Sequence, residues 1–232
     1  MALTMKRPDV TVASASIKRE KRSLADFLGA LPVIEFPSRT ILFRQEEQAD
    51  CAYWVSSGIV KLQYVNPAGK EVIIDLRHPG CLLGTAAIVL VRCHAMTAET
   101  LTPSRLARIP APQFRDTLKS DSRFSTFVHR RLAQELENHL SKLIEHTSYS
   151  SRHRLLRLLR GVAADVAIGP SQSVLVPLKQ WEIAELLAVT PEHISRMLRR
   201  LEEEGLVRRK KNLLVISDAH RLGSLDLAQD RC

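Results

Sequence analysis

The sequence predicts an α+β chain in three parts: an N-terminal β-roll of jelly-roll type, a long amphipathic helix and a C-terminal winged helix-turn-helix. Three observations carry this expectation. Short β-rich runs broken by Gly, Pro and Asn fill the stretch from Phe36 to Ile109. Near Pro112 the apolar period changes from two to about 3.6. Around residue 180 two helical patterns flank a three-residue turn, and a cationic hairpin follows them.

At 232 residues the chain can bury a sizeable core, as one large domain or two small ones. A formal charge of +9 and a pI near 9.7 favour a polyanionic partner, either nucleic acid or an anionic membrane surface. The surplus of Lys and Arg lies in the first 22 residues and after residue 150, while the charges between nearly cancel. No apolar run approaches the ~18 residues of a membrane span, and the first 22 residues lack the apolar stretch of a signal peptide. A cytoplasmic protein without a membrane partner is therefore expected. Cys51, Cys81, Cys93 and Cys232 form no CxxC pair and have no His at zinc spacing, so no metal site is expected and the thiols should be free. There is no P-loop, nucleophile elbow or HExxH, and an enzyme is not expected.

Taken in order, residues 1–22, with Lys18, Arg19, Lys21 and Arg22, suggest a basic mobile arm. Residues 23–121 suggest the roll. Its strands are expected at 40–43, 52–55, 59–65, 72–76 and 104–109, with turns at Ser56-Ser57-Gly58, Asn66-Pro67-Ala68-Gly69 and Pro79-Gly80. Trp54, Trp181 and the methionines are expected in cores. In residues 122–149 the apolar positions Phe124, Val128, Leu132, Leu136, Leu140 and Leu143/Ile144 recur every three or four residues. This stripe has two uses, packing on the roll or pairing with a second copy. A helix this long beside a small roll leaves apolar surface uncovered, so a homodimer held by Val128, Leu132, Leu136, Leu140 and Leu143 is expected.

Residues 150–232 form the last part. Leu155, Leu156, Leu158, Leu159 and Val162 mark a helix ending near Gly169-Pro170. Residues 180–187 predict the first helix of a helix-turn-helix, Ala188-Val189-Thr190 its turn, and Pro191 to Glu204 the second helix, closed by Gly205. Thr190 suits the N-cap, Pro191 the first helical position, and Val189 with Ile194 a hydrophobic staple. On the second helix Ile194, Met197, Leu198 and Leu201 share one face, while Glu192, Ser195, Arg196 and Arg199 share another. Such a second face is either an ordinary solvated surface or a reader of base edges. Arg can chelate guanine, Glu can accept from cytosine N4, and Ser serves a base or a phosphate. The cationic hairpin over 206–216, with Arg209, Lys210 and Lys211 at its tip, suits a wing lying along phosphates. Thr190, Pro191 and Lys179 belong to the same candidate surface, and Arg152, Arg154 and Arg157 are candidates for further backbone contacts. Double-stranded DNA is the expected partner.

From about residue 30 to 222 the chain resembles the CRP/FNR superfamily of bacterial regulators. The resemblance rests on an ordered set of segments: Phe36-Pro37-Ser38-Arg39-Thr40-Ile41-Leu42, Val55-Ser56-Ser57-Gly58-Ile59-Val60-Lys61-Leu62, Gly69-Lys70-Glu71-Val72-Ile73, Pro79-Gly80-Cys81-Leu82-Leu83-Gly84 and Thr190-Pro191-Glu192-His193-Ile194-Ser195-Arg196. It implies a cyclic-nucleotide-binding-like roll that receives a signal, RNA polymerase as a partner, and an effector pocket at Gly84, Thr85, Arg92, Cys93 and His94. It also implies an inverted DNA repeat whose half-site has a TTGA-like core, read by Glu192, Ser195 and Arg196. The chain departs from the family pattern in three places. Gly84-Thr85 stands where cyclic-nucleotide binders have Gly-Glu, and Arg92-Cys93-His94-Ala95 where they have Arg-Ser or Arg-Thr, so cyclic AMP is not expected. Residues 1–50 hold no cysteine, so neither is the iron-sulfur centre of the oxygen-sensing branch. Ala188 occupies a turn position that is often Gly. No cofactor is predicted, and Cys93 and His94 are expected to be structural.

Overall fold

In the computed structural model the described residues are 31–166, 173–210, 213–218 and 221–222. The basic arm 1–22, Lys211 and Cys232 lie outside them. Two four-stranded antiparallel sheets build the roll. One has the order β1 (Val33–Phe36), β8 (Ser104–Pro110), β3 (Cys51–Ser57), β6 (Leu82–Leu83). The other has the order β2 (Ile41–Phe43), β7 (Thr97–Thr100), β4 (Val60–Val65), β5 (Glu71–Arg77). Alternating residues turn inward, and Phe43, Tyr53, Val55, Val60, Leu62, Leu83, Ala98 and Leu106 form one core. Gly58 makes the turn between β3 and β4 at φ 90°, where a Cβ would lie 2.2 Å from Ser104 Oγ and 2.7 Å from Pro103 O. Only glycine fits there.

The expected strands are all present. The structure adds β1, β6, β7 and a short helix, α1 (Thr85–Leu90). The helical pattern from residue 111 is two helices: α2 (Ala111–Ser120) and α3 (Ser122–Ser148). The Asp121 side chain stops one and starts the other by accepting from the amides of Arg123 and Phe124.

The stripe on α3 divides. Phe124 and Val128 are 2% and 1% exposed and pack with Ile109 and Phe114 against the roll, and Leu132 lies partly buried beside them. Leu136, Leu140, Leu143 and Ile144 remain 50–64% exposed. Val128 therefore belongs to the chain's own core and is not available to a second copy. The turn-by-turn drift of a 3.6-residue period carries the stripe from the roll-facing side to the open side.

The C-terminal part comprises α4 (Ser151–Val166), β9 (Val174–Val176), α5 (Gln180–Leu186), α6 (Pro191–Glu203), β10 (Val207–Lys210) and β11 (Leu213–Ile216), with sheet order β10-β11-β9. Its core of Leu155, Leu159, Val162, Ile183, Ile194, Leu198, Val207 and Ile216 continues into Ile59, Leu76 and Leu101 of the roll. The two parts are thus packed together. Trp54 packs on Phe127 with Arg131 over its ring. Trp181, expected in a core, is 44% exposed.

Candidate nucleic-acid interface and effector pocket

Helix α6 begins as its sequence requires. Thr190 Oγ1 accepts from the His193 amide at 3.3 Å, and Pro191 follows at the first helical position, where no amide partner is needed. Ile194, Met197, Leu198 and Leu201 are buried, which fixes the rotation of the helix about its axis. Pro191, Glu192, Arg196 and Arg199 are exposed and Ser195 is half-buried, all away from that core. A contact not foreseen from the sequence pins the same end: Ser151 Oγ at the start of α4 lies 2.7 Å from His193 Nε2.

The exposed face carries both charge signs. The backbone amide at the start of the helix, then the Thr190 hydroxyl, hold the Glu192 carboxyl below the usual carboxylate range, so it is ionised at neutral pH. Neither Arg196 nor Arg199 forms a salt bridge among the described residues. Lys179 is exposed immediately before α5, where its amide donates to Glu182 Oε2 at 2.8 Å. On the hairpin Lys210 is exposed, and Lys211 lies outside the described residues. Arg209 is tied back onto α6: its Nη2 donates to Ser195 O at 3.0 Å and its Nε lies 3.3 Å from Glu202. It braces the wing against the helix.

The three arginines of α4 are engaged within the chain. Arg152 pairs with Glu204 at 2.6 Å, Arg157 pairs with Glu145, and Arg154 donates to the carbonyls of His146 and Leu187. Carboxylates take up Arg152 and Arg157, whereas Arg154 reaches only carbonyls and its buried Nε has no acceptor among the described residues.

Ala188, in the turn between α5 and α6, has φ 50°. A Cβ in this left-handed region costs roughly 1 kcal/mol. Ala188→Gly is therefore expected to stabilise the chain by up to about 1 kcal/mol, offset in part by unfolded-state entropy. A thermal melt with a lowered midpoint would contradict this.

The five residues nominated for the effector pocket do converge. Gly84, Thr85, Arg92, Cys93 and His94 line one cavity of about 240 Å³ in the roll, together with Phe43, Leu62 and Met96. Thr85 and His94 are 4% and 3% exposed, whereas Arg92 and Cys93 lie at the surface. The His94 ring stacks on Phe43 with centroids 3.8 Å apart, and its buried Nε2 has no hydrogen-bond partner among the described residues. Burial pushes His94 below the ordinary imidazole range, so it is neutral at pH 7. Sequence reasoning missed the two other charged lining residues, Arg77 of β5 and Glu135 of α3, which pair at 3.2 Å. They arrive from separate elements, and no local motif announces them.

Residues 33–121 match the family description "Cyclic nucleotide-binding domain" and residues 153–225 match "Crp-like helix-turn-helix domain". A CRP-like cAMP-activated global transcriptional regulator of Mycobacterium tuberculosis is 26% identical over 208 residues, which cover 88% of this chain and 92% of that protein. An anaerobic regulatory protein of Pasteurella multocida is 22% identical over 180 residues, covering 77% and 66%. Among solved structures, FixK2 from Bradyrhizobium japonicum superposes with a TM-score of 0.70 at 18% identity, over 85% of this chain and 98% of that one. The c-di-GMP responsive global regulator CLP of Xanthomonas campestris gives 0.67 at 21%, over 84% and 98%. Among the described residues, no helix is long and apolar enough to cross a membrane. A cyclic-nucleotide-binding-type roll, a long helix and a Crp-like DNA-binding unit in this order place the chain in the CRP/FNR family of transcription regulators, which are not enzymes.

Proposed function

We propose that the chain works in the cytoplasm as a homodimer that binds an inverted DNA repeat with a TTGA-like half-site. Glu192, Ser195 and Arg196 read the bases, and Lys179, Thr190, Arg199, Lys210 and Lys211 contact phosphates. One observation carries the reading. The faces of α6 are separated so that its apolar side is wholly buried, while an acceptor and a guanidinium one turn apart face outward. A salt-dependent gel shift with specific and scrambled competitors tests it, and equal competition by both would overturn it.

Dimerisation uses Leu136, Leu140, Leu143 and Ile144, with Leu132 at the margin of the patch. A row of large apolar side chains this exposed on one helix is the mark of a helix partner. Two-fold symmetry then sets the half-sites about one helical turn apart. In analytical ultracentrifugation the Leu136→Asp/Leu140→Asp chain is expected to sediment as a monomer and wild type as a dimer. A monomeric wild type at micromolar concentration would contradict this.

The roll receives a signal other than cyclic AMP, or the protein is active without one. Its pocket offers a buried Thr85 hydroxyl where cyclic-nucleotide binders present a carboxylate to the ribose, and the His94 ring on Phe43 occupies part of the wall. Calorimetry with cyclic AMP is expected to show no micromolar binding. Tight binding with a parallel rise in DNA affinity would overturn this. DNA-bound dimers are expected to act through RNA polymerase.

A further inference from the structure

A second cavity, of about 320 Å³, lies where the roll, α3, α4 and the end of α5 meet. This is within the range of small-molecule sites, roughly 300–1,000 Å³. Leu76 of the roll, Leu158 of α4 and Leu186 of α5 give it apolar walls, and cations outnumber carboxylates in its lining. Most of these cations are matched. Lys142 pairs with Asp75, Arg157 with Glu145, and Arg77 with Glu135 at 3.2 Å.

Arg154 is the exception. Its terminal nitrogens reach only the carbonyls of His146 at 3.1 Å and Leu187 at 3.2 Å, and its buried Nε has no acceptor. Among the described residues it has no carboxylate partner. A guanidinium so placed retains unspent attraction for an anion, strengthened by the reduced dielectric of the cleft. His146 beside it is pushed below the ordinary imidazole range by burial and then by Arg154, so it adds a neutral polar group and no competing charge.

Gly161 supplies the second observation. It sits inside α4 on the wall of the same cavity, and a Cβ built on it would meet nothing within 4 Å. A glycine within a helix is unfavourable relative to alanine, and no backbone crowding requires this one. What its absent side chain leaves is open space at the exposed rim of this cavity, two turns along α4 from Arg154.

We propose that this cleft binds a small organic anion, with a carboxylate or phosphate on Arg154 and an apolar body in the space beside Gly161. Such a ligand touches the roll, the long helix and the DNA-binding unit at once. Its binding would therefore favour the docked arrangement over any in which they separate. The inference goes beyond the DNA reading and does not rest on it.

The probe is 8-anilinonaphthalene-1-sulfonate, an organic anion with an apolar body, titrated into the purified full chain and followed by fluorescence. One saturable site per chain is expected. Benzoate or phenyl phosphate should displace the probe, their order telling carboxylate from phosphate, and neutral benzamide should not. Gly161→Leu, which fills the space without loss of helix propensity, and Arg154→Gln should each weaken binding at least tenfold. Lys119→Gln, which removes an exposed cation of α2, should leave it unchanged. A thermal melt of Gly161→Leu confirms that this variant is folded. Absence of a saturable site, wild-type affinity in folded Gly161→Leu, or displacement by benzamide equal to that by benzoate would overturn the proposal.

Discussion

Replacing Glu182 by leucine is expected to destabilise the chain by about 3 kcal/mol and to loosen the DNA-binding unit from the roll. Glu182 belongs to α5 and has no exposed surface, yet it is met by two cations from the roll. Arg39 Nη1 and Nη2 donate to its carboxylate at 2.7 and 3.2 Å, and Lys61 Nζ lies 3.4 Å away. Glu99 shares both cations, each at 3.4 Å, so the two domains are joined by a four-membered ion network with Lys61 only 4% exposed. Arg39 reaches this position from a left-handed backbone, φ 63°, a strain that the network must offset.

Removing one member leaves buried charge without its partner, which typically costs 3–5 kcal/mol; the remaining Glu99 argues for the lower end. Burial pushes the Glu182 carboxyl up, but the Arg39 hydrogen bonds, the Lys179 amide and the charges of Arg39 and Lys61 pull it below the ordinary range. Because the folded value is the lower one, this stabilisation is present above the unfolded value of about 4.3 and is lost as pH falls through the folded value. Urea melts of wild type from pH 7 downward should show that loss beginning near pH 4 and growing as pH falls further, and Glu182→Leu should show less of it. Glu182→Leu/Lys61→Met, which removes charge from both sides, should recover part of the stability. A single variant that melts like wild type, or strictly additive single effects, would show that the network carries no coupling.

Arg196→Ala is expected to weaken binding to the preferred site by about 1–3 kcal/mol, roughly five- to 150-fold, and to relax the preference at the guanine proposed as its contact. Lys210→Ala is a different loss. Lys210 is exposed on the hairpin strand, where we propose that it meets phosphates, so all sequences should weaken alike and the salt slope should fall by about one unit. Fluorescence anisotropy on duplexes substituted at each position of the half-site separates the two patterns. Uniform weakening by Arg196→Ala would move that residue from the bases to the backbone.

The helix-turn-helix was legible because its determinants are local. Thr190, Pro191 and the apolar spacing of Ile194 through Leu201 act within one or two turns, and Ala188 takes the left-handed position its place in the turn demands. Strand β7 was hidden because Thr97 and Thr100, though 6% and 0% exposed, are polar. Their hydroxyls accept from the amides of Gln45 and Thr40 and so substitute for apolar packing. What spans the chain could not be read at all. Arg39 and Glu182 are 143 residues apart, and Arg77 meets Glu135 only after the roll has folded onto α3. Val128 shows the limit of a periodic pattern, which marks an apolar face but not which neighbour covers it.

Base reading by α6 from a symmetric dimer is tested most directly by a randomised-site selection with the purified protein. Wild type is expected to enrich an inverted repeat with a TTGA-like half-site, its half-sites about one helical turn apart. The Arg196→Ala chain should return the same spacing with the guanine position degenerate. Recovery of no palindrome, or of one unaltered by Arg196→Ala, would contradict the assignment of this face to DNA readout.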